Sequence, residues 1–199
     1  MVQKLLGNLS KGLCFVISAP AGTGKTTLAR KLTQEFSCVN LSVSSTTRAP
    51  RVDEVSGVDY IFLSKEEFEK QIEDGTFLEY AKVCGNYYGT SKSQVEKKCN
   101  EGKHVVFVID TQGALQLQER QFSAVFIFVS PPSLEILKER LVKRKTDSID
   151  SIEERLVWAR EEMAMADYYD YHIINDDLNV AYEVLRSILI AEEHKLGEI

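Results

Sequence analysis

Cysteine and histidine are scarce in this sequence, with four of the first and three of the second among 199 residues. Cys14, Cys38, Cys84 and Cys99 form no C-x-x-C pair, and His104, His172 and His194 lie far apart. That spacing excludes a zinc finger and a disulfide-stapled scaffold, and it predicts reduced thiols in a reducing compartment. Long apolar runs are missing too. Nowhere do eighteen uncharged apolar residues stand together, and residues 1–11 contain no apolar stretch of signal-peptide length. Neither a spanning helix nor a secretory leader is predicted, and the expected location is cytoplasmic. An excess of positive charge is also lacking: 24 Lys and Arg stand against 30 Asp and Glu, a formal net charge of -6. Such a field repels phosphate backbones and anionic lipid, so neither nucleic acid nor a membrane is an expected partner. No internal repeat or low-complexity segment is visible.

What the chain does have is core material, with 44% apolar and 9% aromatic residues. Its length predicts a single domain. Short β-rich runs at 13–18, 39–44, 105–110, 125–129 and 172–175 alternate with longer segments of helical period at 25–36, 64–74, 91–101, 111–119, 133–143, 151–168 and 178–194. This alternation predicts an α/β fold with a mostly parallel sheet. Runs such as Val105-Val106-Phe107-Val108-Ile109 are continuously apolar, so helices should cover both faces of that sheet. Ser64-x-x-Glu67 and Ser151-x-x-Glu154 match the capping box. Between about 42 and 101 the pattern changes to shorter pieces, 59–63 and 77–83, punctuated by glycine, which predicts an inserted, more antiparallel subdomain. The polar stretch 143–150 has no apolar period and reads as a flap.

The run Leu13 to Ser18 leads into Ala19-Pro20-Ala21-Gly22-Thr23-Gly24-Lys25-Thr26-Thr27 and then a helical segment. Strand, glycine-containing loop and helix in that order make a phosphate-binding P-loop. Its backbone N–H groups would curl around the phosphates of ATP, Lys25 would reach the β- and γ-phosphates, and the Thr26 hydroxyl would ligate magnesium. The first glycine of the strict pattern is replaced by Ala19. Read alone, the segment is also compatible with a glycine-rich turn beside a solvated lysine. Asp110, at the end of a second apolar strand, resembles a Walker B carboxylate.

A second cluster follows. Ser44-Ser45-Thr46-Thr47-Arg48-Ala49-Pro50-Arg51 sets two arginines three apart in a hydroxyl-rich loop, suited to clamping an anion. Downstream come Gly57-Val58-Asp59-Tyr60, Phe77-Leu78-Glu79-Tyr80 and Gly85-Asn86-Tyr87-Tyr88-Gly89-Thr90. Arginines, tyrosine hydroxyls and a carboxylate fit one ligand with a phosphate at one end and hydrogen-bond donors at the other. Taken alone, Glu79 reads as a solvated strand residue, and Tyr60 and Tyr88 as half-buried strand aromatics.

On these residues, together with Ile109-Asp110-x-Gln112-Gly113, the sequence resembles the guanylate kinases over nearly its whole length. The resemblance implies transfer of the γ-phosphate of ATP to GMP, and to dGMP, with Mg2+ bound alongside ATP. It implies that Ser44, Glu79, Thr90 and Asp110 surround guanine and that Arg48, Arg51, Tyr60 and Tyr88 hold the GMP phosphate. Arg140, Arg144 and Arg155 resemble the lid and donor-side arginines, which with Lys25 and Arg48 would form the catalytic set; the same arginines also read as a solvated basic patch. Asn175 resembles a residue near the ATP adenine, although a turn cap explains it equally. The implied subregions are a core of 1–41, 102–142 and 157–199, a GMP-binding insertion over 42–101 and a lid over 143–156. One departure stands out: the family carries D-x-D on the strand before Gln112-Gly113, whereas here the first carboxylate is Val108. Asp110 could then serve guanine, metal or both. Two rival readings are a related kinase with a different acceptor and a non-catalytic interaction module of the same fold. Retention of Lys25, Thr26 and Arg144 argues against the module.

Overall fold

The β-branched and aromatic run Cys14–Ser18 forms the central strand, β1, and all five of its residues are buried. On either side lie parallel strands β7 (His104–Ile109) and β8 (Val125–Ser130), then β2 (Val39–Leu41) beyond β7 and β9 (Tyr171–Ile174) beyond β8. The coordinates are a computed structural model describing residues 3–52, 54–83, 85–143 and 149–196. Alternation along β1 divides the core. Phe15 and Ile17 pack with Leu28, Ala29 and Leu32 of α1 (Lys25–Glu35) and with Leu185 and Leu189 of α7 (Leu178–Glu193). Cys14 and Val16 face the opposite side, with Val95 of α3 (Lys92–Asn100) and Leu117 of α4 (Thr111–Glu119). The sheet is thus covered by helices on both faces, as its continuously apolar strands require.

The expected strand over 39–44 is divided. β2 ends at Leu41, the Ser42 N–H donates to the Val106 carbonyl at 2.9 Å, and the chain then leaves the sheet. Ser45–Thr46 (β3) joins a second sheet of order β4-β3-β6-β5, with β4 at Ile61–Phe62, β5 at Phe77–Val83 and β6 at Asn86–Ser91. Its β5–β6 and β3–β6 pairs are antiparallel and its β3–β4 pair is parallel. Helix α2 (Lys65–Glu73) packs Phe68 against Phe77 and Tyr87, with ring centroids 4.5 and 5.2 Å apart. The Ser64–Glu67 capping box is formed in both directions.

Ser151 does not cap a helix, because α6 runs Ile149–Met163 and encloses it. With α5 (Leu134–Lys143), α6 makes a small cluster in which Leu137, Leu141, Ile152 and Ala159 are buried. The expected helix over 151–168 finishes in a separate 3-10 turn, Ala166–Tyr168. Arg144 and positions 145–148 of the expected flap lie outside the described residues, as does Cys84. Cys14 and Cys99 are both buried free thiols with sulfurs 3.6 Å apart. Among the described residues no helix is long and apolar enough to cross a membrane.

A buried polar knot fastens the base of the sheet. His104 accepts the Leu13 N–H at Nδ1 (3.1 Å), so Nε2 carries the proton and donates to Glu193 at 2.6 Å. Glu193 also accepts from the backbone of Gly7 and Asn8 and from the Asn8 amide. Burial alone would raise this carboxyl, but those donors outweigh it and hold Glu193 below the usual range.

Candidate active site

The loop between β1 and α1 is shaped by its own polar groups. The Thr23 hydroxyl donates to the Pro20 carbonyl at 2.7 Å and the Lys25 ammonium to the Ala19 carbonyl at 2.9 Å. Gly22 and Gly24 adopt φ of 98° and 92°, the left-handed region in which side chains are strained. Ala19 is not among the residues with positive φ, so the replacement of the first motif glycine costs no backbone strain. Helix α1 begins after Gly24 with no side-chain cap. Its first N–H groups therefore remain available to an anion, with the helix dipole behind them. Thr26 and Thr27 are exposed on this first turn, while Thr23 is fully buried and turned into the loop.

Asn175 follows β9. It is buried, its backbone N–H donates to the Ser130 carbonyl at 2.8 Å and its amide donates to the Thr23 carbonyl at 2.6 Å. It braces the phosphate loop from behind, a role neither a turn cap nor an adenine contact anticipates. A Cβ on Gly24 would stand 2.8 Å from that amide, a second reason for glycine there. Arg140 donates to the carbonyls of Asn175 and Asp176 at 2.8 and 3.2 Å, which ties α5 to the same brace. Arg155 is partly buried on α6.

Across the cleft the second sheet presents the other group. Glu79 and Thr90 face each other in the β5–β6 ladder. Both are buried, at 3% and 0% exposure, and Glu79 Oε1 and Thr90 Oγ1 have no hydrogen-bonding partner beyond each other. Burial pushes the Glu79 carboxyl up to about 7; nearby Thr90 pulls it down and the charge of Asp110 pushes it further up. Unpaired buried polar atoms are costly, and two facing each other point to a missing polar ligand. Gly113 lets α4 approach: a Cβ there would lie 2.6 Å from Glu79 Oε2. Asp110 caps α4, its Oδ1 accepting the Gly113 N–H at 2.8 Å.

Arg48 is held by Glu54, which sequence reasoning missed. Its Nη2 donates to both carboxylate oxygens at 2.8 and 2.9 Å, and Nη1 donates to the Ala49 carbonyl. Glu54 also accepts the Arg51 N–H at 2.9 Å, and the Arg48 guanidinium holds its carboxyl below the usual range. The guanidinium lies over the Tyr60 ring at 5.4 Å, and Tyr60 packs edge-on to Tyr88 at 6.0 Å. Arg51 extends exposed from the same loop, and Ser44 lies half-buried just before β3, its carbonyl accepting the Ile61 N–H. The pattern R-x-x-R-x-x-E was visible in the sequence, but only the fold shows the carboxylate turning back onto the first arginine.

Lys25, Tyr60, Glu79, Tyr88, Val108 and Asp110 line one cavity of about 140 Å³. The fold thus brings the phosphate loop and the second cluster to a single cleft, and Asn175 and Arg140 join the loop through the Thr23 carbonyl and the 175–176 backbone.

The guanylate kinase family model matches residues 11–192. A guanylate kinase of Protochlamydia amoebophila is 56% identical over 96% of this chain and 97% of that protein. One of Chlamydia felis is 50% identical over 91% of this chain and 89% of that protein. The crystal structure of guanylate kinase from Anaplasma phagocytophilum matches with a TM-score of 0.77 and 35% identity, covering 93% of this chain and 88% of that one.

Proposed function

Because this chain belongs to the guanylate kinase family, with the phosphate loop and its acceptor-side cluster facing one cleft, we infer that it transfers the γ-phosphate of ATP to GMP, giving ADP and GDP. The observation that carries the acceptor is the buried pair Glu79 and Thr90, which have no partner beyond each other. Guanine offers donors at N1 and N2 beside an acceptor at O6; a carboxylate takes the donors and a hydroxyl serves O6. Adenine reverses this edge, leaving Glu79 buried and unpaired, and sites of this kind discriminate by about 10⁴ or more. Ser44 and Asp110 complete the guanine side. Arg48, Arg51, Tyr60 and Tyr88 hold the GMP phosphate, with Glu54 orienting Arg48. The ribose adds no group that this edge reads, so dGMP is a second acceptor.

ATP lies on residues 19–27, with Asn175 supporting the loop. Lys25, Arg48, Arg140, Arg144 and Arg155 gather charge around the phosphoryl group in transit. Catalysis is positioning and charge stabilisation, with no covalent intermediate. The insertion over 42–101 and the lid over 143–156 close on the core and exclude water, which otherwise accepts the phosphate. The donor set suits magnesium. Thr26 offers one exposed hydroxyl, and Mg2+ binds through few protein oxygens together with phosphates and waters. Bound there it would neutralise charge on the phosphates. The scarcity and spacing of the cysteines support a cytoplasmic setting.

The decisive measurement is ADP release with ATP and magnesium, supplying GMP, dGMP, AMP, CMP and UMP separately. Stimulation by the guanine nucleotides alone is expected, and it should vanish in Lys25→Ala while the fold is retained. Stimulation by AMP or a pyrimidine nucleotide at an equal rate would overturn the guanine assignment.

A further inference from the structure

Strand β5 lies at the edge of the second sheet, paired on one side with β6 and open on the other. An open edge leaves backbone N–H and C=O groups without a ladder partner. Near Glu79 the ladder is also irregular. Phe77 pairs with Ser91 and Glu79 with Thr90, so β5 holds one residue more than β6 across this step. Such a bulge re-aims a side chain and loosens the pairing of the backbone that carries it. Here a helix closes the open edge. Gln116, half-buried on α4, donates from Nε2 to the Tyr80 carbonyl at 2.7 Å and accepts the Tyr80 N–H at Oε1 at 3.3 Å. Its carboxamide stands in for the peptide of a further strand, since it offers the same donor and acceptor. Arg120, at the C-terminal cap of α4, donates to the Leu78 carbonyl. The residues on both sides of Glu79 are therefore fastened to one helix.

That helix is also the one that Asp110 caps through the Gly113 N–H, and a side chain at Gly113 would strike the Glu79 carboxylate. Two groups carried by different sheets thus take their positions from α4. We propose that Gln116 is a positioning residue that sets acceptor specificity: its amide holds β5 so that the Glu79 carboxylate meets both donors of guanine. This inference deepens the reading of the acceptor site and rests on it. A carboxylate that takes the N1 and N2 donors together must be held to within about 0.5 Å. Glu79 and Asp110 line the cleft and Gln116 does not, so Gln116 acts through Glu79.

The test compares GMP with inosine monophosphate, which keeps the N1 donor and the O6 acceptor and lacks the N2 donor. The readout is kcat/KM for each acceptor at saturating ATP and magnesium. The wild-type protein prefers GMP. Gln116→Met keeps the reach of the side chain and removes both hydrogen bonds. It should lower the preference by about tenfold or more through KM for GMP, with KM for ATP unchanged within about twofold. In a Glu79→Gln background the same substitution should change the preference by less than about twofold, because the group it positions is gone. A purely structural Gln116 would lower the melting temperature and the yield of active enzyme and scale both acceptors alike. An unchanged preference in Gln116→Met would overturn the inference, as would an equal loss in both backgrounds. Should Gln116→Met fail to fold, Gln116→Ala, which adds no bulk and favours the helix, is read in the same way. A Glu79→Gln protein with the wild-type preference would instead sink the guanine assignment, and the inference with it.

Discussion

Glu79 is ionised only at a cost in the free protein, and in the proposed guanine site the N1 and N2 donors of GMP offset that cost. Between the unfolded value of 4.5 and the folded value of about 7, the folded state binds more protons than the unfolded one. Stability contributed by Glu79 therefore falls as pH rises through that window. Binding runs the other way, because guanine needs the carboxylate. At pH 6, Glu79 should release up to about one proton per GMP bound, in addition to what the GMP phosphate, with its second pKa of about 6, gives up to the arginines, measured by calorimetry in buffers of different ionisation enthalpy. Glu79→Gln should release about one proton fewer and should lose GMP affinity far more than ATP affinity. An equal proton count in both proteins would remove Glu79 from the guanine site. Arg48 shows a related economy: Glu54 occupies one nitrogen and fixes the plane of the guanidinium, so little side-chain entropy is lost when phosphate arrives.

At the scale of elements, helix α7 does two jobs. Its apolar face covers the sheet, and Glu193 at its end gathers donors from Gly7, Asn8 and His104. Glu193→Ala leaves these buried donors unpaired and should cost about 3 kcal/mol or more in urea unfolding, while activity per folded molecule stays near wild type. A loss below about 1 kcal/mol would show that water or repacking satisfies the donors. Such a knot is invisible in sequence, because Gly7, His104 and Glu193 are joined only by the fold. The local signals fared better. The central strands, α4 and the Ser64 cap follow from apolar period and capping chemistry. β6 was missed because Asn86, Gly89 and Ser91 dilute its strand pattern, and Ser151 misled because its S-x-x-E sits inside a helix already begun. Of the site, the phosphate loop was legible as a contiguous motif. The roles of Glu54 and Gly113 were not, since Glu54 acts by folding back onto Arg48 within one loop and Gly113 by letting Glu79 of another element approach.

On the scale of the molecule, the two sheets meet along α4 and β5. Gln116 donates to the Tyr80 carbonyl at 2.7 Å and accepts the Tyr80 N–H at 3.3 Å, and Arg120 donates to the Leu78 carbonyl. Farther out, an exposed ion pair of Arg30 and Asp59 at 2.8 Å joins α1 to the insertion. Such a pair is weak and screened by salt, so it restrains the cleft little. The radius of gyration in solution scattering should fall when GMP and a non-hydrolysable ATP analogue bind together, and less with either alone. An unchanged radius with both bound would mean that the cleft does not close.

β2 and β7 are neighbours in the core sheet, and the whole acceptor segment is spliced between them. Its return limb, α3, already covers the sheet in the manner of a crossover helix. Most of the groups proposed to choose the acceptor thus sit in one segment hung on a single strand–helix–strand unit, and Asp110 reaches them from the end of β7. A change of acceptor would then call for changes in that segment and at Asp110, with the phosphate loop left as it is.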